Sequence, residues 1–195
     1  MPNYCAVDVT VYGEAEAVEK AIALLVHLDE NEEPAIDFNR LIPYPAKFAE
    51  QDESASRFFG PGLALTSDPV ELARRDAAMA EHVARYGSEL DGYNSGGYEW
   101  CRKNWGVKWA PDGVQAVRYA PGKTIVSFRT PWTTPDPVLD AFASSAFQVE
   151  GVGLIMVEYF ESGMAFAGGW SYLPATGADR VAAWHTNDYK GSRGG

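Results

Sequence analysis

The chain is short of three things. It has few cysteines, little positive charge and no long apolar run. Two cysteines, Cys5 and Cys101, stand far apart in 195 residues. They have no CxxC spacing, so they read as buried free thiols rather than as a disulfide framework. Sixteen Lys and Arg stand against 27 Asp and Glu, a net charge of −11. That deficit argues against general DNA or RNA binding, where Lys and Arg neutralise phosphates. Acidic stretches occur at 29–33 and 50–53, but elsewhere the acids are dispersed, which disfavours a DNA-mimicking face. No apolar run approaches the roughly 20 residues of a membrane span. The opening Met1-Pro2-Asn3-Tyr4-Cys5 has neither a basic n-region nor an apolar h-region, so no secretory signal is read there. The expectation is a cytoplasmic protein with no membrane contact. No internal repeat is visible. The motifs GxxxxGK[ST], HExxH and GxSxG do not occur. His27, His82 and His185 are isolated from one another and read as surface or structural residues. The expectation is therefore no catalytic residue, no metal and no cofactor.

What is present is enough apolar material for a core, 46% of the residues. Cys5, Val7, Val9 and Val11 alternate with polar or small neighbours, the period of a half-buried strand. A helix is expected over 14–28, with acids in its first turn. Residues 36–44 read as a second extended segment and 46–66 as irregular, with the breaker Gly60-Pro61-Gly62. Ser67-Asp68-Pro69 starts a helix that Gly87 closes, with Val70, Ala73, Ala77, Ala80 and Val83 on its apolar side. Two strands, 114–119 and 124–130, flank a hairpin turn. Thr134 and Pro135 open another helix, with Val138, Leu139, Phe142 and Phe147 as its apolar positions. Strands are expected at 154–160 and 164–173. After Pro174 the pattern weakens, and 190–195 reads as a frayed polar end.

Strand, helix, strand, then strand, helix, strand is the split β-α-β, or ferredoxin-like, order. The expected fold is α+β: an antiparallel sheet with helices on one face and a helical insertion around 67–87. One domain is expected over 1–174, with about 46–97 inserted, followed by a C-terminal extension over 175–195.

Aromatic residues are the main chemical signal. Trp100, Trp105 and Trp109 fall within ten residues, and Trp132 follows in a proline-rich turn. Indole rings fill core volume, and a buried N–H seeks a partner. The same rings can also floor a pocket and stack on a planar ligand. In that second reading Lys108 and Arg129 bind an anionic group and Asn104 reads a polar edge. If 107–109 is extended, Lys108 points away from a face that Val107 and Trp109 bury. Glu158 and Glu161 have a spacing that sends them to opposite faces of a regular strand. Glu161, in Tyr159-Phe160-Glu161-Ser162-Gly163, reads either as a turn stabiliser or as a functional acid. The candidate ligand-binding set is Asn104, Trp105, Lys108, Trp109, Arg129, Trp132, Tyr159 and Glu161.

Five blocks carry a family resemblance. Met1-Pro2-Asn3-Tyr4-Cys5 resembles the "MPNWC" opening of the YubB-type ferredoxin-like family of phages and conjugative plasmids. Residues 38–45 are similar to its "FNkliPmP", and 100–109 to its "WC..NWGTKW". Residues 128–135 resemble "F.TAWsPP", and 159–168 resemble "Y.EpG..faG". The departures are Tyr4 for Trp, Val107 for Thr, Pro131 for Ala and Ser162 for Pro. The resemblance implies the ferredoxin-like fold, a mobile-element setting in a bacterial host, and no particular reaction. It implies no iron–sulfur cluster, since two cysteines cannot supply four thiolates. Three functions follow as expectations. The first is a non-enzymatic accessory module that binds a small ligand such as a nucleotide, or a host protein, with an anti-defence role as one outlet. The second is a single-stranded nucleic-acid binder. The third is a hydrolase or transferase using Glu161 and Lys108.

Overall fold

The computed structural model describes residues 3–59, 66–111 and 113–188. The Met1-Pro2 opening, the Gly60-Pro61-Gly62 breaker and the 190–195 end lie outside them. Along the chain come β1 (Tyr4–Gly13), α1 (Ala15–Leu25), β2 (Val26–Leu28) and β3 (Pro34–Ile36). A 3-10 turn at Phe38–Arg40, α2 (Ala46–Ser56), α3 (Pro69–Tyr86), a π-type turn at Tyr93–Gly97 and α4 (Tyr98–Asn104) follow. The last part holds β4 (Val114–Ala120), β5 (Lys123–Pro131), α5 (Asp136–Ala146), β6 (Val152–Glu161), β7 (Phe166–Tyr172) and β8 (Val181–Thr186). Among the described residues this is a mixed α+β fold with a six-stranded antiparallel sheet and five helices. The chain divides into two compact units, 1–43 with 102–195, and 44–101.

The first unit holds the sheet, in the order β4-β5-β1-β6-β7-β8. The alternation in β1 sets its two faces. Cys5, Val7, Val9 and Val11 are buried. Across the register, Val7 meets Phe128 and Tyr159, and Val9 meets Val126 and Val157. Against this face lie α1, through Ala17, Val18, Ala21, Ile22 and Leu25, and α5, through Val138, Leu139, Phe142, Ala143 and Ala146. Burying such side chains is the main stabilising term, roughly 1.5–3 kcal/mol for each large one. The other face carries Ala6, Asp8, Ser127, Arg129, Glu158 and Phe160.

Four local expectations change in this unit. The helix ends at Leu25 rather than at 28, because β-branched Val26 pairs with Ile36 in a short separate sheet. The segment 36–44 is not extended. Asp37 accepts from Asn39 N at 2.9 Å, which turns the chain and buries Phe38. Residues 106–109 form bends rather than a strand. Gly106 sits at φ +79°, and a side chain there would strike Pro137. Finally, the weak region after Pro174 supplies β8, an edge strand paired with β7.

In the second unit, α3 runs from Pro69 to Tyr86, with Asp68 accepting from Val70 N at 2.8 Å and Gly87 at its end. Its inward side is not the expected one. Val70 is 75% exposed, and His82 is the residue fully buried. His82 bonds the Ser54 hydroxyl at 2.9 Å and the Leu90 carbonyl at 3.0 Å, a satisfied structural histidine. The stretch expected to be irregular contains α2. No Gly or Pro interrupts 46–59, and Gln51 turns inward to donate to Leu90 O at 2.7 Å and Ser95 Oγ at 2.8 Å. Trp100 packs edge-on to Tyr44, with centroids 5.6 Å apart.

Candidate functional site

The candidate site is a cleft of about 540 Å³ in the first unit, on the helix-covered side of β6, β7 and β8. Tyr159, Phe166, Trp170 and His185 supply its aromatic lining; Thr133, Thr134, Asp136 and Arg180 supply its polar side, while Trp184 bounds it at the edge strand with its ring over Gly169, in the row of Glu158 on the other face. Strand pairing explains how rings so far apart in sequence converge. Tyr159 pairs with Gly168, and Gly168 pairs with His185, so one cross-strand row reads Tyr, Gly, His. With no side chain between them, the two rings lean over the glycine and meet. The Tyr159 hydroxyl lies 2.9 Å from His185 Nδ1, and the rings stack at 6.2 Å and 27°. A Cβ on Gly168 would sit 2.2 Å from that hydroxyl. His185 Nε2 lies 2.8 Å from Asn187 Oδ1. A carbonyl oxygen can only accept, so Nε2 carries the proton and Nδ1 accepts from Tyr159. Tyr159 also touches Phe166 at 6.1 Å and Trp170 at 5.6 Å.

Arg180 closes the polar side. Its Nη1 donates to Asp136 at 2.7 Å, and its Nε and Nη2 donate to Asp140 at 3.1 and 3.0 Å. Its guanidinium carbon lies 4.1 Å from the Trp170 ring centroid, a cation–π contact. Tyr172 donates to the same Asp140 at 2.6 Å. Burial pulls against the charge of Arg180, but the two carboxylates outweigh it and hold the guanidinium above its ordinary value. Burial, with the Asp140 bond, pushes the Tyr172 hydroxyl up. Burial, then Asp136, does the same to Tyr159, which therefore stays a neutral hydrogen-bonding phenol. A low-pKa nucleophile would need the opposite shift. Among the described residues, no three of His, Cys, Asp and Glu gather into a metal-ligating group. No described helix is long and apolar enough to cross a membrane.

The eight residues singled out in the sequence do not share one place. Tyr159 lies in the cleft. Trp105 is core: it is 5% exposed, its indole N–H donates to Ile42 O at 2.8 Å, and Phe38 meets its ring at 5.7 Å. Asn104 and Trp109 are half-buried. Lys108 and Trp132 do come together, with the ammonium 5.3 Å from the ring centroid. Trp132 is 40% exposed at φ +70°, held there by its N–H donating to Asn3 O. Strand alternation places Arg129 on the opposite sheet face from Tyr159, where it lies over Tyr4 at 5.6 Å. Glu161 is 1% exposed and accepts from the N–H groups of Gly163 and Met164, a turn-stabilising geometry. Glu158, as its spacing requires, is exposed on the other face.

Arg180, Trp170 and His185 line the cleft and lie outside the set that the sequence singles out. Trp184-His185 stood in the weak region, and Gly168-Gly169 inside a strand was the available signal, since glycine there marks a close approach. Gly168 admits Tyr159, and a Cβ on Gly169 would lie 3.0 Å from the Trp184 indole nitrogen.

No family model matches the chain. No curated protein matches it either. Among solved structures, the fold is similar to the crystal structure of a protein api92 from Yersinia pseudotuberculosis, described as family-model DUF1281. The TM-score is 0.49 at 9% identity, covering 92% of this chain and 97% of that one.

Proposed function

We propose that this protein is a non-enzymatic binding module whose small ligand sits in the cleft around Tyr159. The convergence of four aromatic side chains, Tyr159, Phe166, Trp170 and His185, on a cavity of about 540 Å³ carries this reading. Ligand sites are typically concave, largely apolar and furnished with a few fixed polar groups. The fixed groups here are Asp136 and Arg180, held by their mutual ion pair. Within this reading the sheet core is ferredoxin-like. The order β4-β5-β1-β6, with α1 and α5 on one face, supports that assignment. The five sequence blocks support a place in the YubB-type family, with an accessory role on a phage or plasmid in a bacterial cytoplasm. Glu161 and Lys108 have separate partners, which speaks against an acid–base pair built on them.

The test is a thermal-shift screen of small planar compounds, read together with tryptophan fluorescence. A hit should raise the melting temperature and change the emission, and Tyr159→Ala should remove both responses. A screen without a hit, or hits indifferent to Tyr159→Ala, would reject the cleft.

A further inference from the structure

The condition of Arg180 says which ligands the cleft can take; this step rests on the cleft being a ligand site. An arginine grips phosphate through its N–H edges, as a two-pronged fork. In Arg180 those edges are already engaged. Nη1 is held by Asp136, and Nε and Nη2 are held by Asp140. One side of the guanidinium is set against Trp170, at 4.1 Å, and the side chain keeps 27% of its surface open. Those four bonds leave one Nη1 N–H open, which alone makes no two-pronged grip; the larger surface left for a ligand is flat and delocalised, and arginine planes stack on bases and other flat rings.

Charge points the same way. Among the described residues lining the cleft, Arg180 is the one Lys or Arg. Counted with Asp136 and Asp140, the group is one positive against two negative, net −1. A phosphate entering here would face two carboxylates and an arginine with no fork to offer. A hydrogen-bond donor would fare better. Each Asp136 oxygen has one partner, the Thr134 hydroxyl or Arg180, and a carboxylate oxygen can accept more than one bond. Thr133 adds a further polar group on the same side.

We propose that the cleft binds a flat, uncharged heteroaromatic ring bearing an exocyclic amino group. The ring stacks on Arg180 and against the Tyr159 wall, and its amino group donates to Asp136. An aminopurine base or nucleoside has this chemistry. A phosphate attached to it stays outside the cleft.

Calorimetry on the full chain with adenosine, AMP, ATP, inorganic triphosphate, indole and butylamine tests this. Adenosine and ATP should bind within about threefold of each other, and inorganic triphosphate should give no heat. Raising salt from roughly 50 to 300 mM should leave adenosine binding nearly unchanged, since no phosphate contact is made. Arg180→Lys keeps the charge and loses the plane; it should weaken adenosine about tenfold. Because Arg180→Lys also alters an ion-pair cluster, Phe166→Ala in the aromatic wall beside Tyr159 serves as the second variant, and it too should weaken adenosine. Affinity that climbs with phosphate number, or heat from triphosphate alone, would overturn the proposal. Binding of indole or of butylamine in place of adenosine, lost in Phe166→Ala, would overturn the ligand class and leave the cleft reading standing. No response to any of these compounds would remove both.

Discussion

Trp105 and Tyr159 sit in the same unit, among similar rings, and end in opposite conditions. Around Trp105 the neighbours close in: Phe38 meets its edge, Ile42 satisfies its N–H, and 5% of its surface remains open. Around Tyr159 the rings face a gap. The difference is in what lies between them. Trp105 is enclosed by partners more than sixty positions away, Phe38 and Ile42, which fill the volume around it. The cleft places Gly168 between Tyr159 and His185 in a cross-strand row, so space is left and two polar ring atoms meet across it. A ring whose neighbours close in on every side marks packing here. Aromatic convergence across strands, with a glycine between, marks the cavity.

Trp105→Ala should show the largest effect and the cleanest separation. Truncating a buried tryptophan costs about 3–5 kcal/mol, which in a chain of this size lowers the melting temperature on the order of 10 °C. Ligand affinity of the folded fraction should stay within about twofold, because Trp105 does not line the cleft. If stability holds while binding is lost, the comparison is wrong. Gly168→Ala attacks the other side. The added methyl would occupy the place of the Tyr159 hydroxyl, 2.2 Å away, so the ring must swing out. The expected cost is about 1–3 kcal/mol, with loss of ligand binding. Wild-type affinity in Gly168→Ala would show that the Tyr159–His185 contact is not part of the site.

Cys5 tests how dry the sheet interior is beside Tyr159. Burial, then Glu161, pushes its thiol up from 9.0 to about 12. The folded state therefore keeps this proton where the unfolded chain has lost it. Stability from this group is full below pH 9 and falls as pH rises from there towards 12. One unit into that window the loss is about 1.4 kcal/mol. Urea unfolding at pH 8 and pH 10 should show this loss, and Cys5→Ala should reduce it. An equal loss in Cys5→Ala would place the alkaline sensitivity elsewhere, with Cys101, raised by burial to about 11, as the next group to examine.

Those elements whose signals are local were readable in advance. The alternation at Cys5, Val7, Val9 and Val11 gave β1, and Asp68-Pro69 with Gly87 bounded α3 closely. Helix α2 escaped because its inward side is thin, with Gln51 and Ala55 as its buried residues, so no apolar stripe appears. Strand β8 escaped because four of its six residues are exposed, as at a sheet edge. The site was legible only in part. Tyr159 was found through its motif. Arg180 gains its meaning from Asp136 and Asp140, some forty positions away, and His185 gains its from a register that only the assembled sheet defines. Propensity and motif reading have no access to such pairings.

Lys108 gives the smallest effect and the finest test. Its ammonium lies 5.3 Å from the ring of Trp132, which is partly exposed. A cation–π contact at an exposed site contributes about 0.5–1 kcal/mol. Lys108→Met keeps the chain length and removes the charge, so it should lower stability by no more than that amount and shift the Trp132 emission. Ligand affinity in the cleft should not move. The two rings of the comparison are tied by chain, however: Trp132 is followed directly by Thr133 and Thr134, which line the cleft. The turn that carries all three is held by Thr130 Oγ1 donating to Thr133 O at 2.7 Å and by Trp132 N donating to Asn3 O at 3.0 Å. Neither bond involves Lys108. A several-fold change in affinity in Lys108→Met would therefore mean that the side chain of Trp132, not only its backbone, positions the rim. The boundary between packing rings and binding rings would then have to be drawn one residue earlier.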